Sequence, residues 1–387
     1  MTPASYTREL RLALRAVHAA SLLTKSVLRS LSNCVSAETK ADDSPVTIAD
    51  FAAQALLIAA LHAEFPHDAF IGEESADVLR SNDQLADRVW QLVQRAQEAA
   101  AAAASATSDV QQNVRYGEEE QDAARALHFP VSKEDMVNLI DRGGKGQVTG
   151  SGRVWVMDPV DGTATFMQGQ QYAVCLCLLI DGVQVVGVIG CPNLAFDVQA
   201  PLGQTRMHED SVDTQGYGVV VSAVKGHGTY VRSMEARRLG EPRRVDLTTL
   251  PTKPLNELDF VESTIGKTSL SQAEHKAVAE LLGAKWPGTV VWAQQIKHVA
   301  LTLGATDVMV RIPKTADRFT YIWDHAGGHI LYQEAGGIIS DFHGEQIDFG
   351  QGRKIKGERN YGMIAAMPAQ FEEVGRAVNK VLAGRQQ

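Results

Sequence analysis

The residues best placed to do chemistry are carboxylates, gathered in short segments far apart in the chain. The sharpest segment is Trp155-Val156-Met157-Asp158-Pro159-Val160-Asp161-Gly162-Thr163. It reads as a strand running straight into a turn, with Pro159 and Gly162 on either side of Val160. Asp158 then stands at the edge of a sheet. Asp161 follows three residues later, with the Val160 carbonyl between them. Such an oxygen set suits a hard divalent cation such as Mg²⁺, which takes ligands at about 2.0–2.1 Å. The same residues also suit a turn in which both carboxylates accept backbone N–H groups.

Gly72-Glu73-Glu74-Ser75 follows a short apolar strand and offers either a metal ligand with a supporting acid or a solvated loop. Asp50 ends Asp43-Ser44-Pro45-Val46-Thr47-Ile48-Ala49-Asp50, where Thr47 and Asp50 stand at capping-box spacing. Asp324, in Ile322-Trp323-Asp324-His325-Ala326-Gly327-Gly328, is also a common kind of helix N-cap. Each of these segments alone has an ordinary structural explanation.

Taken together and in order, the segments resemble the lithium-sensitive, magnesium-dependent phosphatases of the inositol monophosphatase superfamily. The D-P-x-D-G-T and W-D-x-A-G signatures carry the likeness, which runs from about Arg8 to Ala383. Ser44-Pro45-Val46-Thr47, Trp323-Asp324-His325-Ala326-Gly327 and Gly190-Cys191-Pro192-Asn193 favour the bisphosphate-nucleotidase branch, and Phe349-Gly350 fits the same pattern.

The resemblance implies a two-domain layered αβαβα sandwich, α/β (α+β) in class. Residues 1–195 would carry most metal ligands, and residues 196–387 would supply Asp324 and the nucleotide contacts. It implies two to three Mg²⁺ ions per site. Glu73, Asp158 and the Val160 carbonyl would hold the first, and Asp158, Asp161 and Asp324 the second, with Glu73 also touching a looser third. Asp50 and Thr163 would activate the attacking water. Gln294, Lys297 and Arg311, with Thr163 and Asp324, would meet the substrate. The implied reaction removes the 3'-phosphate of adenosine 3',5'-bisphosphate, giving AMP and phosphate, with 3'-phosphoadenylyl sulfate a second substrate. Two positions depart from the pattern. Gln294 stands where the family usually has Ser before the substrate lysine, and Glu262–Lys267 lacks a His-Ser-Ser-His-like run. Nucleotide preference therefore stays open, with an inositol phosphate phosphatase or a non-catalytic phosphonucleotide sensor as alternatives.

The chemistry is consistent on its own terms. A phosphate monoester is dianionic and repels a hydroxide nucleophile. Paired metal ions about 3.5–4 Å apart lower the pKa of water and clamp the phosphoryl oxygens. Asp50 would accept the water proton through the Thr163 hydroxyl. Clustered carboxylates repel one another without metal, so metal binding should stabilise the fold.

Around these residues the chain reads as alternating helices and strands. Leu10, Leu12, Leu14, Val17, Leu22 and Leu23 suggest an amphipathic first helix. Helices are expected at Thr47–Glu64, Leu85–Ala104, Gln272–Leu282, Gln294–Leu303 and Trp323–Ala335. Tyr172–Ile180 and Val183–Ile189 flank Asp181-Gly182 and form the clearest hairpin. Ser105–Gln121 and Leu202–Gln215 read as polar insertions, and Gly143–Gly152 as a mobile loop.

The 387 residues are 44% hydrophobic and 21% charged, which excludes a disordered chain, and their number suggests two domains. The formal net charge is −9 with no basic stripe, which argues against nucleic acid as a partner. A small nucleotide bisphosphate is the expected partner, with no membrane and no obligate protein partner. Cys34, Cys175, Cys177 and Cys191 form no CxxC pair and read as reduced and mostly buried. A cytoplasmic location follows as the expectation, although the Arg-rich first residues leave organelle targeting open.

Overall fold

The computed structural model describes residues 5–30, 38–39, 45–46, 48–108, 127–147, 150–263 and 269–386. Thr47, the proposed partner of Asp50 in a capping box, lies outside these residues, as do Asp43, Ser44 and Cys34.

The chain begins with α1 (Thr7–Ser30), a two-residue ribbon of β1 (Glu38–Thr39) and β2 (Pro45–Val46), and α2 (Ile48–Glu64). Next come β3 (Ala69–Gly72), α3 (Asp77–Ser81), α4 (Asp83–Ser108), α5 (Lys133–Gly144), β4 (Arg153–Asp161) and α6 (Thr163–Met167). The strands β5 (Ala173–Ile180), β6 (Val183–Cys191), β7 (Val219–Val224), β8 (Gly228–Ser233) and β9 (Arg243–Val245) follow. Strands β3 to β9 form one seven-stranded sheet in chain order. Its β3–β4 pair is parallel and the other pairs are antiparallel.

The second half supplies β10 (Val261–Glu262), α7 (Gln272–Leu281), β11 (Thr289–Val290), α8 (Gln294–Thr302), β12 (Met309–Arg311) and β13 (Phe319–Tyr321). It ends with α9 (Ala326–Glu334), β14 (Ile338–Ser340), β15 (Lys354–Lys356), β16 (Met363–Ala366) and α10 (Pro368–Ala383). Strands β12, β16 and β14 make a small antiparallel sheet, and β13 pairs with β15.

Side-chain alternation sorts these elements into layers. Trp155, Met157, Leu176 and Val188 face α1, α2 and α4 in one core. Val156, Cys175, Cys177 and Ile189 face the other way, toward α8 and α9. Met309 and Ala365 close that second core from the small sheet, whose far side (Val310, Ile364, Ala366) packs on α7 and α10. The stack is helix, sheet, helix, sheet, helix, the αβαβα arrangement expected. Among the described residues no helix is long and apolar enough to cross a membrane.

Most expected elements are present, with informative differences. The Asp181-Gly182 turn is tight, with φ values of 50° and 77°, and Ile180 pairs with Val183. Helix α4 runs on to Ser108 because alanine is the best helix former, so the start of the expected polar insertion is helical. Gly143 and Gly144 end α5 instead of opening a loop. The boundary expected at 195/196 falls between β6 and β7, which are paired neighbours of one sheet. Leu202–Gln215 is an excursion between them, not a linker. Cys175, Cys177 and Cys191 are buried free thiols.

Candidate metal and active site

In a regular strand, residues three apart face opposite sides. Asp158 and Asp161 escape this rule. Asp158 pairs with Cys175 and Asp161 with Ala173, so β4 holds one residue more than β5 over that step. This β-bulge rephases the strand and turns both carboxylates to one side. It also accommodates Pro159, which has no N–H to give a central ladder. Gly162 follows at φ 91°, where a Cβ would stand 2.7 Å from that of Ala293. Only glycine combines that conformation with that approach.

Asp324 arrives from the other half of the chain, at the end of a 3₁₀ turn over Ile322–Asp324. It is not a helix N-cap, since His325 precedes α9 and makes no side-chain cap bond. Its Oδ2 accepts the Thr320 hydroxyl at 3.3 Å. One carboxylate oxygen from each of Asp158, Asp161 and Asp324 lies within 4.8 Å of the others.

Asp161 does a second job. It accepts the backbone N–H groups of Gln294 at 3.1 Å and Gln295 at 2.6 Å. It therefore caps α8 from a different sheet, where Ala293 offers no side-chain cap. Asp158 accepts the Val160 N–H at 3.1 Å. The backbone-accepting alternative raised by the sequence is thus realised together with the cluster.

Burial dominates the electrostatics. It pushes the Asp158 carboxyl well above the usual range, and Glu73, Asp161, Asp324 and Asp50 push it further. Burial raises Asp161 to about 6, against the pull of the Gln295 and Gln294 N–H groups and Lys297. Burial, then Asp161 and Glu73, raises Asp324 to about 7, while Arg311 and the Thr320 hydroxyl oppose the shift. Three acids that hold their protons this tightly are incompatible with a fully charged cluster unless a cation joins them. The donor set is all oxygen, which fits a hard divalent ion.

Glu73 lies outside the tight trio and is half-buried, yet close enough to raise all three neighbours. Its turn is clamped by Gln54, whose amide bonds the Glu74 N–H at 2.9 Å, the Glu74 carbonyl at 2.7 Å and the Ile140 carbonyl at 2.9 Å. Asp50 is fully buried in the first turn of α2. The Thr163 hydroxyl donates to the Val160 carbonyl at 3.2 Å.

Lys297 is buried, not on a solvated helix face, and its Nζ bonds the Ser263 hydroxyl. Burial and the Arg311 charge lower it to about 8. Arg311 donates to the Gln294 amide oxygen. The expected substrate residues Gln294, Lys297 and Arg311 thus form one group beside the carboxylates.

Sequence reading missed the residues that hold this arrangement. Gln295 joins α8 to α9 by bonding the Trp323 carbonyl at 2.7 Å and the Gly328 N–H at 2.9 Å. Arg353 donates to the Gly72 carbonyl at 2.7 Å and the Gly143 carbonyl at 3.1 Å, and its guanidinium lies 4.7 Å over the Trp323 ring. It ties the turn of Glu73 to the turn of Asp324. No local signal marks either residue.

The layered fold and the acidic centre define a class. A profile described as the inositol monophosphatase family matches residues 80–373, and the chain belongs to that family. Its curated relatives include the 3'(2'),5'-bisphosphate nucleotidase of Schizosaccharomyces pombe, 37% identical with 97% of this chain and 96% of that one covered. The enzyme of that name from Emericella nidulans is 36% identical over 98% and 99% of the two chains. The 3',5'-bisphosphate nucleotidase 2 of Arabidopsis thaliana is 33% identical over 91% and 90%. Among solved structures, the extragenic suppressor protein suhB of Bartonella henselae superposes with a TM-score of 0.57 at 16% identity, covering 97% and 99%. The Thermotoga maritima IMPase superposes at 0.55 and 15%, covering 98% and 99%. These two share the fold.

Proposed function

We propose that this chain is a Mg²⁺-dependent 3'(2'),5'-bisphosphate nucleotidase that converts adenosine 3',5'-bisphosphate to AMP and phosphate, with 3'-phosphoadenylyl sulfate as a second substrate. The observation that carries the chemistry is the convergence of Asp158, Asp161 and Asp324 within 4.8 Å. Near-full-length likeness to nucleotidases supports the substrate.

Glu73, Asp158 and the Val160 carbonyl would hold one ion, and Asp158, Asp161 and Asp324 another, with a third near Glu73. When bound, the ions would supply the charge that acidifies water and neutralises phosphoryl oxygens. The protein does the rest. Asp50 takes the water proton through Thr163, whose hydroxyl turns from the Val160 carbonyl toward Asp50 to relay it. Lys297 and Arg311 bring positive charge to a dianionic substrate in a chain whose net charge is −9. Positioning and electrostatics provide most of the rate. Lithium inhibition and a cytoplasmic location accompany this reading.

The test is phosphate release by the purified protein in Mg²⁺, comparing adenosine 3',5'-bisphosphate with inositol monophosphate. Faster release from the inositol ester would move the reading to the sugar-phosphate branch. Asp50→Ala should lose turnover and keep nucleotide affinity. A wild type that binds nucleotide but never turns over would identify a sensor.

A further inference from the structure

Behind the carboxylates lies a second buried trio that the proposed reaction does not use. His325 and His329 stand one helical turn apart at the start of α9, and His298 faces them from α8. One ring nitrogen from each lies within 4.8 Å of the others. The ring centroids are 4.9 Å (298–329), 5.5 Å (325–329) and 5.6 Å (298–325) apart. All three rings are essentially inaccessible to solvent.

Polar atoms so deeply buried ordinarily have partners, because leaving one without costs about 1–3 kcal/mol. Here His298 Nδ1 and His329 Nε2 have no hydrogen-bond partner among the described residues. The pair spacing on α9 with a third imidazole from a facing helix is how helical proteins build nitrogen-rich metal sites. Tetrahedral zinc at about 2.0–2.1 Å from each nitrogen sets neighbouring ligand nitrogens about 3.4 Å apart. His298 Nε2 and His325 Nδ1 are 3.3 Å apart and share a hydrogen bond that an ion between them would replace. The far nitrogen of His325 is engaged by the Thr320 hydroxyl at 3.0 Å, the outer contact that fixes the tautomer of a ligating histidine.

We propose that His298, His325 and His329 form a site for a borderline divalent metal of the zinc class, separate from the oxygen-rich centre. Imidazole nitrogen selects such metals, while Mg²⁺ selects the carboxylates. Lys297 and Arg311 are near and repel an entering dication. That repulsion works against hard ions held by charge alone and leaves ions that bond strongly to nitrogen. The Gln294 amide sits 3.2 Å from His298 Nε2 and has to release that nitrogen for the ion to enter.

The experiment uses the full chain, stripped with chelator, saturated with Mg²⁺ to fill the carboxylates, and titrated with Co²⁺. The expected result is one equivalent of Co²⁺ with the intense visible absorption of a tetrahedral, nitrogen-rich site, displaced by Zn²⁺. His298→Asn and His329→Asn should each weaken it at least tenfold, and Gln294→Ala should tighten it. Absence of the band in the Mg²⁺-saturated wild type, or its survival in both histidine variants, overturns the proposal. Should the variants fail to fold, X-ray absorption of the Zn²⁺-loaded wild type decides. Three imidazoles support the site, and an oxygen-only shell refutes it.

Discussion

The carboxylate trio and the histidine trio sit side by side, joined by the Thr320 hydroxyl, which contacts Asp324 and His325. Burial acts on both in the same sense, toward the neutral form. It raises Asp161 to about 6 and Asp324 to about 7, and it lowers His329 to about 3. The consequences are opposite. A neutral imidazole is ready to ligate, whereas a neutral carboxyl must first lose its proton. Carboxylates also repel one another once ionised. The first trio therefore opposes folding at neutral pH unless a cation offsets its charge, while the second adds no charge to the core. The same burial thus leaves an acidic centre that needs a cation before it can carry its charge, beside an imidazole centre whose donors are already neutral.

Breaking the first trio should give the largest effect. Asp158→Asn removes a proposed ligand, and kcat should fall at least about 100-fold, the scale for losing one preorganised electrostatic contact. The metal-free variant should nevertheless melt higher than wild type, because a buried carboxyl that must either take up a proton or hold charge among other acids is gone. A lower melting temperature in chelator would break the comparison.

A smaller effect should come from cutting the link. Thr320→Val leaves both trios intact but frees Asp324 and His325. Mg²⁺ affinity, read from the metal dependence of the rate, should drop about tenfold, the lower end for outer contacts to a ligand. Unchanged affinity would mean the trios act independently.

The smallest expected effect is a pH slope. Folded Asp161 and Asp324 hold protons more tightly than their unfolded forms, so the folded state binds more protons between their ordinary pKa near 3.8 and about 7. Metal-free stability should then be greatest below that window and fall as pH rises through it. Saturating Mg²⁺ should flatten the slope. Melting curves across this range in chelator and in Mg²⁺ check the sign, and a rise with pH in chelator would contradict it.

The parts of the site that sequence disclosed are those written locally. Asp158, Pro159, Val160, Asp161 and Gly162 form one strand end, and both their types and their spacing point to an oxygen site. The hairpin at Asp181-Gly182 is equally local. What stayed hidden depends on distant partners. Asp161 reaches Gln294 and Gln295 across more than 130 positions, and Arg353 reaches Gly72 across 281. Glycine spacing around 143–152 suggested looseness, yet a Cβ on Gly143 would stand 2.9 Å from the Ile58 methyl and 3.1 Å from the Gln54 amide, and one on Gly72 2.5 Å from that amide. Histidines at 298, 325 and 329 form a trio only because α8 packs on α9, which no one-dimensional pattern reveals.

Arg353 has one more consequence. It stands at the base of the ribbon in which β15 pairs with β13, just ahead of the Lys354–Tyr321 pair, and is pinned there to two carbonyls and an indole. At the far end, Arg318 and Phe319 are exposed, and Phe319 lines a small hollow with Arg311 and Thr320. The ribbon thus spans from the carbonyls that frame the acidic site to the protein surface. Whatever disturbs Phe319 at the hollow therefore acts on a ribbon whose other end is tied to the turns that carry Glu73 and Asp324.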